Sequence, residues 1–475
     1  MEGILDPDVG NPAELRRLTG YKTYRRRWYL LGVICLLNCS NAMLWLSFAP
    51  VADETANYFQ SSLVQVNWLS LVYLVISVPF GLVTTWILDT TGLKFSVIFS
   101  SWLNMIGSII RFLSTVRFVD QGSQSYVCLL IGQCFCAAAQ PLVLFSPTKL
   151  AALWFPEHQR ATANMISSMS NPLGILIANL LSPFLVYEKE KIPLMIAVYA
   201  IPAVVACILA TGGVCEKAPP IPPSASAINS TSEPFISGLK KLMKNKAYII
   251  LMVCFGAGIG IFTSFSALLE QILCVAGYSN FIAGLCGALF ILFGIIGALL
   301  LGLYIDRTKK FEEVTKICFS LTALASIGFA LASQLRKQII LLAVICSVFG
   351  FCGFSIYPIC MELSVECSYP VGEGTSTGLI FISGQIQGII YILLFQSLAT
   401  PLADAKFSTC NTNEVLSLDW KVSTLVMAGI CSFGACCFVH FFHTDYKRLH
   451  ADTSNTSINR TDGEEATLPE SSARD

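Results

Sequence analysis

A chain of 475 residues with 54% hydrophobic and only 13% charged side chains carries more apolar surface than a water-soluble core of that length can use, so it is built to sit in lipid. Lysine and arginine, 30 together, are balanced by 30 aspartate and glutamate, which removes the basic excess that a nucleic-acid binder needs. Most of the 19 cysteines, among them Cys35, Cys39, Cys134, Cys136, Cys346 and Cys352, lie inside apolar runs, where cysteine behaves as a small hydrophobe rather than as part of a disulfide scaffold. Cys274 and Cys410 fall near predicted loops and are candidates for a bridge.

In chain order, a segment over 1–27 ends on Arg25-Arg26-Arg27 and gives way to apolar stretches of about 20 residues, each long enough to cross a bilayer as a helix. Six are expected over 28–50, 63–88, 94–116, 125–148, 161–187 and 191–214, forming an N-terminal half over 28–214. The first is long and has no small-residue cleavage site, so it reads as a retained helix. Residues 215–246 interrupt the series; they open on Pro219-Pro220-Ile221-Pro222-Pro223, close on a run of lysines, and cannot pack a core, so they read as a linker. Six further stretches, over 247–274, 280–304, 311–334, 338–362, 374–399 and 420–443, form a C-terminal half over 247–443, and a polar tail over 444–475 is expected to be disordered. The fold class is therefore all-α, with twelve transmembrane helices in two sets of six.

Orientation follows from the loop charges. With the amino terminus in the cytosol, about 22 lysines and arginines fall on the inner side against about 8 outside, which puts both termini in the cytosol. Three sequons, at Asn229, Asn455 and Asn459, then lie on the cytosolic side and are expected to carry no sugar. The two halves also echo one another. Trp86-Ile87-Leu88-Asp89 follows the second stretch and Tyr304-Ile305-Asp306-Arg307 the eighth, while Phe155-Pro156 and Tyr369-Pro370 lie as far apart as Gly174 and Gly388. Matching signals at matching places indicate a duplicated architecture with a cavity between the halves.

Gly302-Leu303-Tyr304-Ile305-Asp306-Arg307 resembles the loop signature of the major facilitator superfamily, and the Asp89 loop its second copy, with Thr85 in place of the usual glycine. Asn67-Trp68-Leu69-Ser70-Leu71-Val72-Tyr73, Gly132-Gln133-Cys134-Phe135-Cys136 and Val365-Glu366-Cys367-Ser368-Tyr369-Pro370 resemble solute carrier family 49, the feline leukaemia virus subgroup C receptor-related transporters, over nearly all twelve helices. That resemblance implies a major facilitator fold, transport by alternating access and a small organic solute, with choline- or ethanolamine-like cations ahead of haem. It also implies that Trp45, Gln140 and Gln385 line the substrate cavity. An aromatic that the resembling transporters carry in the seventh helix is replaced here by Thr263.

Polar side chains inside apolar helices point the same way, because lipid penalises them unless they face protein or water. Asn38, Asn41 and Trp45 recur at helical spacing in the first stretch, and Thr263, Ser266 and Glu270 form a polar face in the seventh, where Glu270 is open to a role as a cation or proton ligand or as a helix-end residue. The substrate-binding candidates are thus Trp45, Asn41, Gln140, Gln385, Thr263 and Glu270. Asp89 and Asp306, with Arg160, Arg307, Glu362 and Glu366, are the candidate gating charges, since a carboxylate set against a helix N-terminus can latch two helices together. Haem requires an axial ligand, and His158, His440, His443 and His450 all lie at loops or at the last helix end, which disfavours it.

No phosphate-binding loop, metal-spaced cluster or nucleophile elbow is present, so neither an ATP-driven pump nor an enzyme is expected, and no cofactor or metal is called for. The expected partners are a small-molecule solute and the lipid bilayer, with no nucleic acid, for a protein working as a monomer at the plasma membrane. A receptor or sensor that keeps the transporter fold without moving solute is the alternative.

Overall fold

The computed structural model describes residues 22–116, 123–216, 218–221, 223, 235–308, 310–368, 371, 373–401 and 418–444. The helices are α1 (Arg26–Leu46), α2 (Ala52–Phe59), α3 (Leu63–Thr90), α4 (Leu93–Leu113), α5 (Ser123–Trp154), α6 (Glu157–Leu185) and α7 (Ile192–Gly213), followed by the short α8 (Phe235–Leu242) and then α9 (Lys246–Cys274), α10 (Asn280–Thr308), α11 (Phe311–Ala332), α12 (Ile339–Ser368), α13 (Glu373–Leu398) and α14 (Lys421–Phe441). Two-residue strands β1 (Thr400–Pro401) and β2 (Leu418–Asp419) pair antiparallel, Thr400 opposite Asp419. Among the described residues, twelve spans are long and apolar enough to cross a membrane, each in the place where an apolar stretch predicts one. Bulky apolar side chains such as Ile208, Leu324, Ile340 and Phe433 point outward, as lipid-facing surface requires.

The first crossing departs from the sequence reading. A single helix is expected to end near residue 50, but α1 stops at Leu46, a 3-10 turn runs over Ala49–Val51, and the chain resumes as α2. Pro50 has no amide hydrogen to continue an α-helical ladder, and the break leaves carbonyls without partners. Arg111 of α4 meets that need. Fully buried, it donates to the Leu44 carbonyl at 3.0 Å and to Ser47 Oγ, with its guanidinium 4.8 Å from the centroid of the Phe48 ring. A cation at the C-terminal end of a helix is placed where the helix dipole favours it.

Elsewhere the helix starts are set by local chemistry. Ser62 and Gln65 form a reciprocal capping box at the head of α3. Asn245 caps α9 by accepting from the Tyr248 amide, and donates to the Cys367 carbonyl at 2.7 Å, which ties α9 to the end of α12. Prolines lie inside α3, α5, α6, α7 and α12, and a membrane helix carries a proline where a neighbour can satisfy the carbonyl it frees. Pro147 frees the Val143 carbonyl, and Asn38 of α1 donates to that oxygen at 3.3 Å.

The repeat is visible in close packing. A Cβ on Gly174 of α6 would lie 2.3 Å from the Cys39 carbonyl oxygen of α1, and one on Gly260 of α9 would lie 2.9 Å from the Gly388 amide nitrogen of α13. So α1 packs on α6 as α9 packs on α13, with glycine demanded at each crossing. Contacts between the first six crossings and the last six run along α6 with α10 and along α3 with α13. With twelve crossings, α1 begins and α14 finishes at one end of the bundle, called here the terminal end; the opposite end is the far end.

Candidate functional site

Between the two sets of helices lies a cavity enclosing roughly 1400 Å³ of empty space, its open mouth included. The first six crossings contribute Asn38, Trp45, Gln140, Ser168 and Asn171 among smaller apolar residues. The last six contribute Phe255, Phe262, Phe290, Phe319, Phe349, Phe354, Tyr357 and Phe381, with Thr263, Thr322 and Gln385 as polar exceptions. Among the described residues, no Asp, Glu, Lys, Arg or His lines it.

Its polar groups are fixed by the surrounding helices. Trp45 Nε1 donates to the Ser70 carbonyl at 3.4 Å, which holds the indole against the cavity from α1. Gln140, just before the proline at 141 in α5, accepts a hydrogen bond from Ser77 Oγ at 2.7 Å. Three amide atoms of the lining residues lack a hydrogen-bond partner although they are buried: Asn38 Oδ1, Asn171 Nδ2 and Gln385 Oε1. Buried polar atoms without partners are rare in folded proteins, and in a cavity wall they are the atoms a ligand can satisfy. On the other side the rings form a continuous sheet of contacts. Tyr357 stacks on Phe354 at a centroid distance of 5.9 Å with an interplanar angle of 2°, and meets Phe381 at 5.8 Å and Phe255 at 6.0 Å. Phe262 reaches Phe354 at 5.4 Å, one residue from Thr263.

Of the substrate candidates read from the sequence, the structure brings Trp45, Gln140, Thr263 and Gln385 together on this cavity and leaves two out. Asn41 is fully buried among α1, α4 and α5, donating to Asn104 Oδ1 at 2.9 Å and to the Cys136 carbonyl at 3.0 Å. The helical face shared with Asn38 and Trp45 is wide enough for its edge to meet a neighbouring helix, and Asn41 sits on that edge. Gln133 is also structural, donating to the Leu69 carbonyl at 3.0 Å. Glu270, two turns beyond Thr263 on α9, lies outside the cavity lining near the far end, where the helices close.

That closure is polar. Asn67 of α3 and Gln271 of α9 exchange two amide hydrogen bonds, at 3.2 and 2.5 Å, and Asn280 Nδ2 donates to Asp53 Oδ1 at 2.8 Å. Both pairs join the first half of the chain to the second. Cys274, at the end of α9, is disulfide-bonded. Every other described cysteine is a thiol outside any disulfide, and Cys410, the bridge partner read from the sequence, falls outside the described residues.

The sequence profile of the Major Facilitator Superfamily matches residues 34–391. Solute carrier family 49 member A3 of Xenopus tropicalis is 62% identical over 436 residues, covering 91% of this chain and 90% of its own length. The protein of that name from Danio rerio is 53% identical over 460 residues, with 97% and 95% covered. The chain belongs to solute carrier family 49. Family 49 also includes the choline/ethanolamine transporter FLVCR1 of Felis catus, 30% identical to this chain over 405 residues, with 82% of this chain and 70% of that protein covered. Among solved structures, the D-xylose-proton symporter superposes with a TM-score of 0.65 at 14% identity, covering 89% of this chain and 99% of that one, a likeness of fold alone. This family-49 chain is thus an integral multi-pass membrane protein with the major facilitator fold, and some of its relatives are named transporters.

The gating candidates are less accessible. Asp89 and Asp306 fall in the last turns of α3 and α10 at the terminal end, but their side chains, with those of Arg160 and Glu362, lie outside the described residues. Arg307 is exposed and Glu366 is buried. Sequence reasoning missed the aromatic wall and Asn171. The available signal was proline: Gln140-Pro141, Asn171-Pro172 and Tyr357-Pro358 each set a cavity residue directly before a proline within a helix.

Proposed function

We propose that this family-49 protein is a secondary carrier that moves a small organic cation of the choline or ethanolamine class by alternating access, without ATP. The observation that supports it most is the composition of the cavity. Hydrogen-bonding amides stand on one side and stacked rings on the other, with no ionised side chain between them among the described residues. Rings attract a desolvated ammonium through their quadrupole, and unpartnered amide atoms can hold a hydroxyl or an N–H group. Asn38, Trp45, Gln140, Thr263 and Gln385, with Tyr357, Phe354 and Asn171, make up the proposed substrate site. The D-xylose likeness carries no substrate information at its level of identity, whereas the family-49 relatives named as choline/ethanolamine transporters favour the same chemistry.

Haem fits poorly. Among the described residues, its carboxylates would meet neither arginine nor lysine in the cavity, and no histidine lines it as an axial ligand. In the proposed orientation the terminal end faces the cytosol and the protein resides in the plasma membrane. Asp89 and Asp306, with Arg160, Arg307, Glu362 and Glu366, are proposed to latch that end when the far end opens.

Counterflow of radiolabelled choline and ethanolamine into proteoliposomes holding the purified protein, without nucleotide, tests the reading. Saturable exchange is expected. Binding of either compound with no exchange would favour a receptor on the same fold.

A further inference from the structure

The seam that closes the far end contains a carboxylate with no visible purpose in packing. Glu270 is 3% exposed, and both of its carboxylate oxygens are buried without a hydrogen-bond partner. Its neighbour Gln271 makes the amide pair with Asn67 that joins the two halves of the chain, so Glu270 sits on the joint itself. The joint is further packed by contacts of α9 with the 3-10 turn at Ala49–Val51 and with α2.

The charged groups acting on Glu270 are Asp53 and Glu54 of α2, both acidic. The 3-10 turn (Ala49-Pro50-Val51) and the first two turns of α3 contain no ionisable residue, nor does α12 over 339–345. Nearby, Tyr278 donates its hydroxyl to the Leu335 carbonyl, and Cys274 is in a disulfide. Described cations at the far end include Lys189, which acts on Glu54 beside Glu188 and Glu190, and the exposed Arg336 and Lys337 next to Leu335; none of them is among the groups acting on Glu270. Among the described residues, no group of three or more His, Cys, Asp and Glu could hold a metal ion. An ionised Glu270 in the closed seam would be an unpaired charge out of water, facing two further acids; a protonated one would not.

We propose that Glu270 is a proton-binding site that operates the far-end gate. The closed seam takes Glu270 in its neutral form, and ionisation drives the halves apart, which returns the carboxylate to water. Because Glu270 does not line the cavity, its proton is exchanged with solution on the far side and does not travel with the solute. The inference rests on the alternating-access reading above, but its test needs no substrate.

Fluorophores are introduced as non-natural side chains at Gln60 and Ser279, two exposed positions flanking the seam on opposite halves. The distance between them is followed in lipid nanodiscs from pH 5.0 to pH 8.5. The parent protein is expected to populate the short, closed distance at low pH and a longer one at high pH, the ratio changing by up to tenfold per pH unit for one linked proton. Glu270→Gln, a permanently neutral side chain of similar shape, is expected to stay closed throughout. Glu54→Gln removes one repelling charge from the ionised form, so its transition is expected at lower pH than that of the parent. Monodisperse elution of each variant shows that it is folded. A parent distance that ignores pH overturns the proposal, as does a Glu270→Gln transition that coincides with the parent's. Failure of choline exchange with an intact pH-dependent distance would overturn the substrate reading and leave the gate standing.

Discussion

The two walls of the central cavity are made of different chemistry, although the halves that supply them are repeats. The wall from the first six crossings is polar: Asn38, Gln140 and Asn171 present amides, with Trp45 as its large ring. The wall from the last six is aromatic, with Tyr357 and seven phenylalanines against one amide, Gln385. The close crossings are shared: Gly174 of α6 lets α6 approach α1, and Gly260 of α9 lets α9 approach α13. Duplication therefore preserved the parts that fix helix spacing and left the cavity faces free to diverge. A solute with a hydroxyl at one end and an ammonium at the other can be oriented by such a cavity, its hydroxyl toward the amides and its ammonium between Trp45 and the facing rings.

The largest effect is expected from removing a ring on each side. Trp45→Ala combined with Tyr357→Ala should weaken choline by roughly a hundredfold, taking about 1.5 kcal/mol for each desolvated cation–ring contact, while each single change costs roughly tenfold. Competition against 3,3-dimethylbutanol, the uncharged isostere of choline, should show a smaller loss, since only buried area is given up. Equal losses for the two compounds would mean that the rings act as a greasy wall and not as a cation cage.

Amide changes should be weaker and differently selective. Asn38→Leu and Asn171→Leu each remove about one neutral hydrogen bond, worth about 1 kcal/mol or roughly fivefold. The loss is expected for choline and for its uncharged isostere, which share the hydroxyl, and not for tetramethylammonium, which lacks it. Because Asn38 also satisfies the Val143 carbonyl that Pro147 frees, thermal unfolding of its variant is measured alongside, and Asn171→Leu serves as the cleaner probe.

The smallest effect is a gain. Thr263 lies beside Phe262 at the edge of the aromatic wall, and Thr263→Tyr should extend it, raising affinity for quaternary ammonium compounds about two- to fivefold, or about 0.5–1 kcal/mol. Affinities unchanged in competition binding would place the new ring outside the solute's reach.

How much of this was legible beforehand depends on what lipid makes visible. Hydrocarbon demands long unbroken apolar helices, so all twelve crossings could be placed from composition alone. The break at Ser47–Val51 was not foreseen, because Pro50 marks it only weakly in the sequence and the group that stabilises it, Arg111 of α4, which takes up the loosened end of α1, is distant in the chain. Polar residues within apolar stretches stand out, and Trp45, Gln140, Thr263 and Gln385 do reach the cavity. Asn41 stood out equally and binds Asn104 instead, since periodicity finds the inner face of a helix but does not distinguish a cavity from a neighbouring helix. The aromatic wall gave no contrast. Phe354 and Phe381 look like any other residues of an apolar helix until tertiary packing sets them side by side.

The most direct test of the two-wall account is a competition matrix on the purified protein: choline, 3,3-dimethylbutanol and tetramethylammonium against the parent, Asn171→Leu and Tyr357→Ala. The account predicts that Tyr357→Ala weakens choline and tetramethylammonium more than the uncharged alcohol, and that Asn171→Leu weakens choline and the alcohol but spares tetramethylammonium. If both variants lowered all three affinities by the same factor, the amides and the rings would not read separate ends of the solute, and the account would be contradicted.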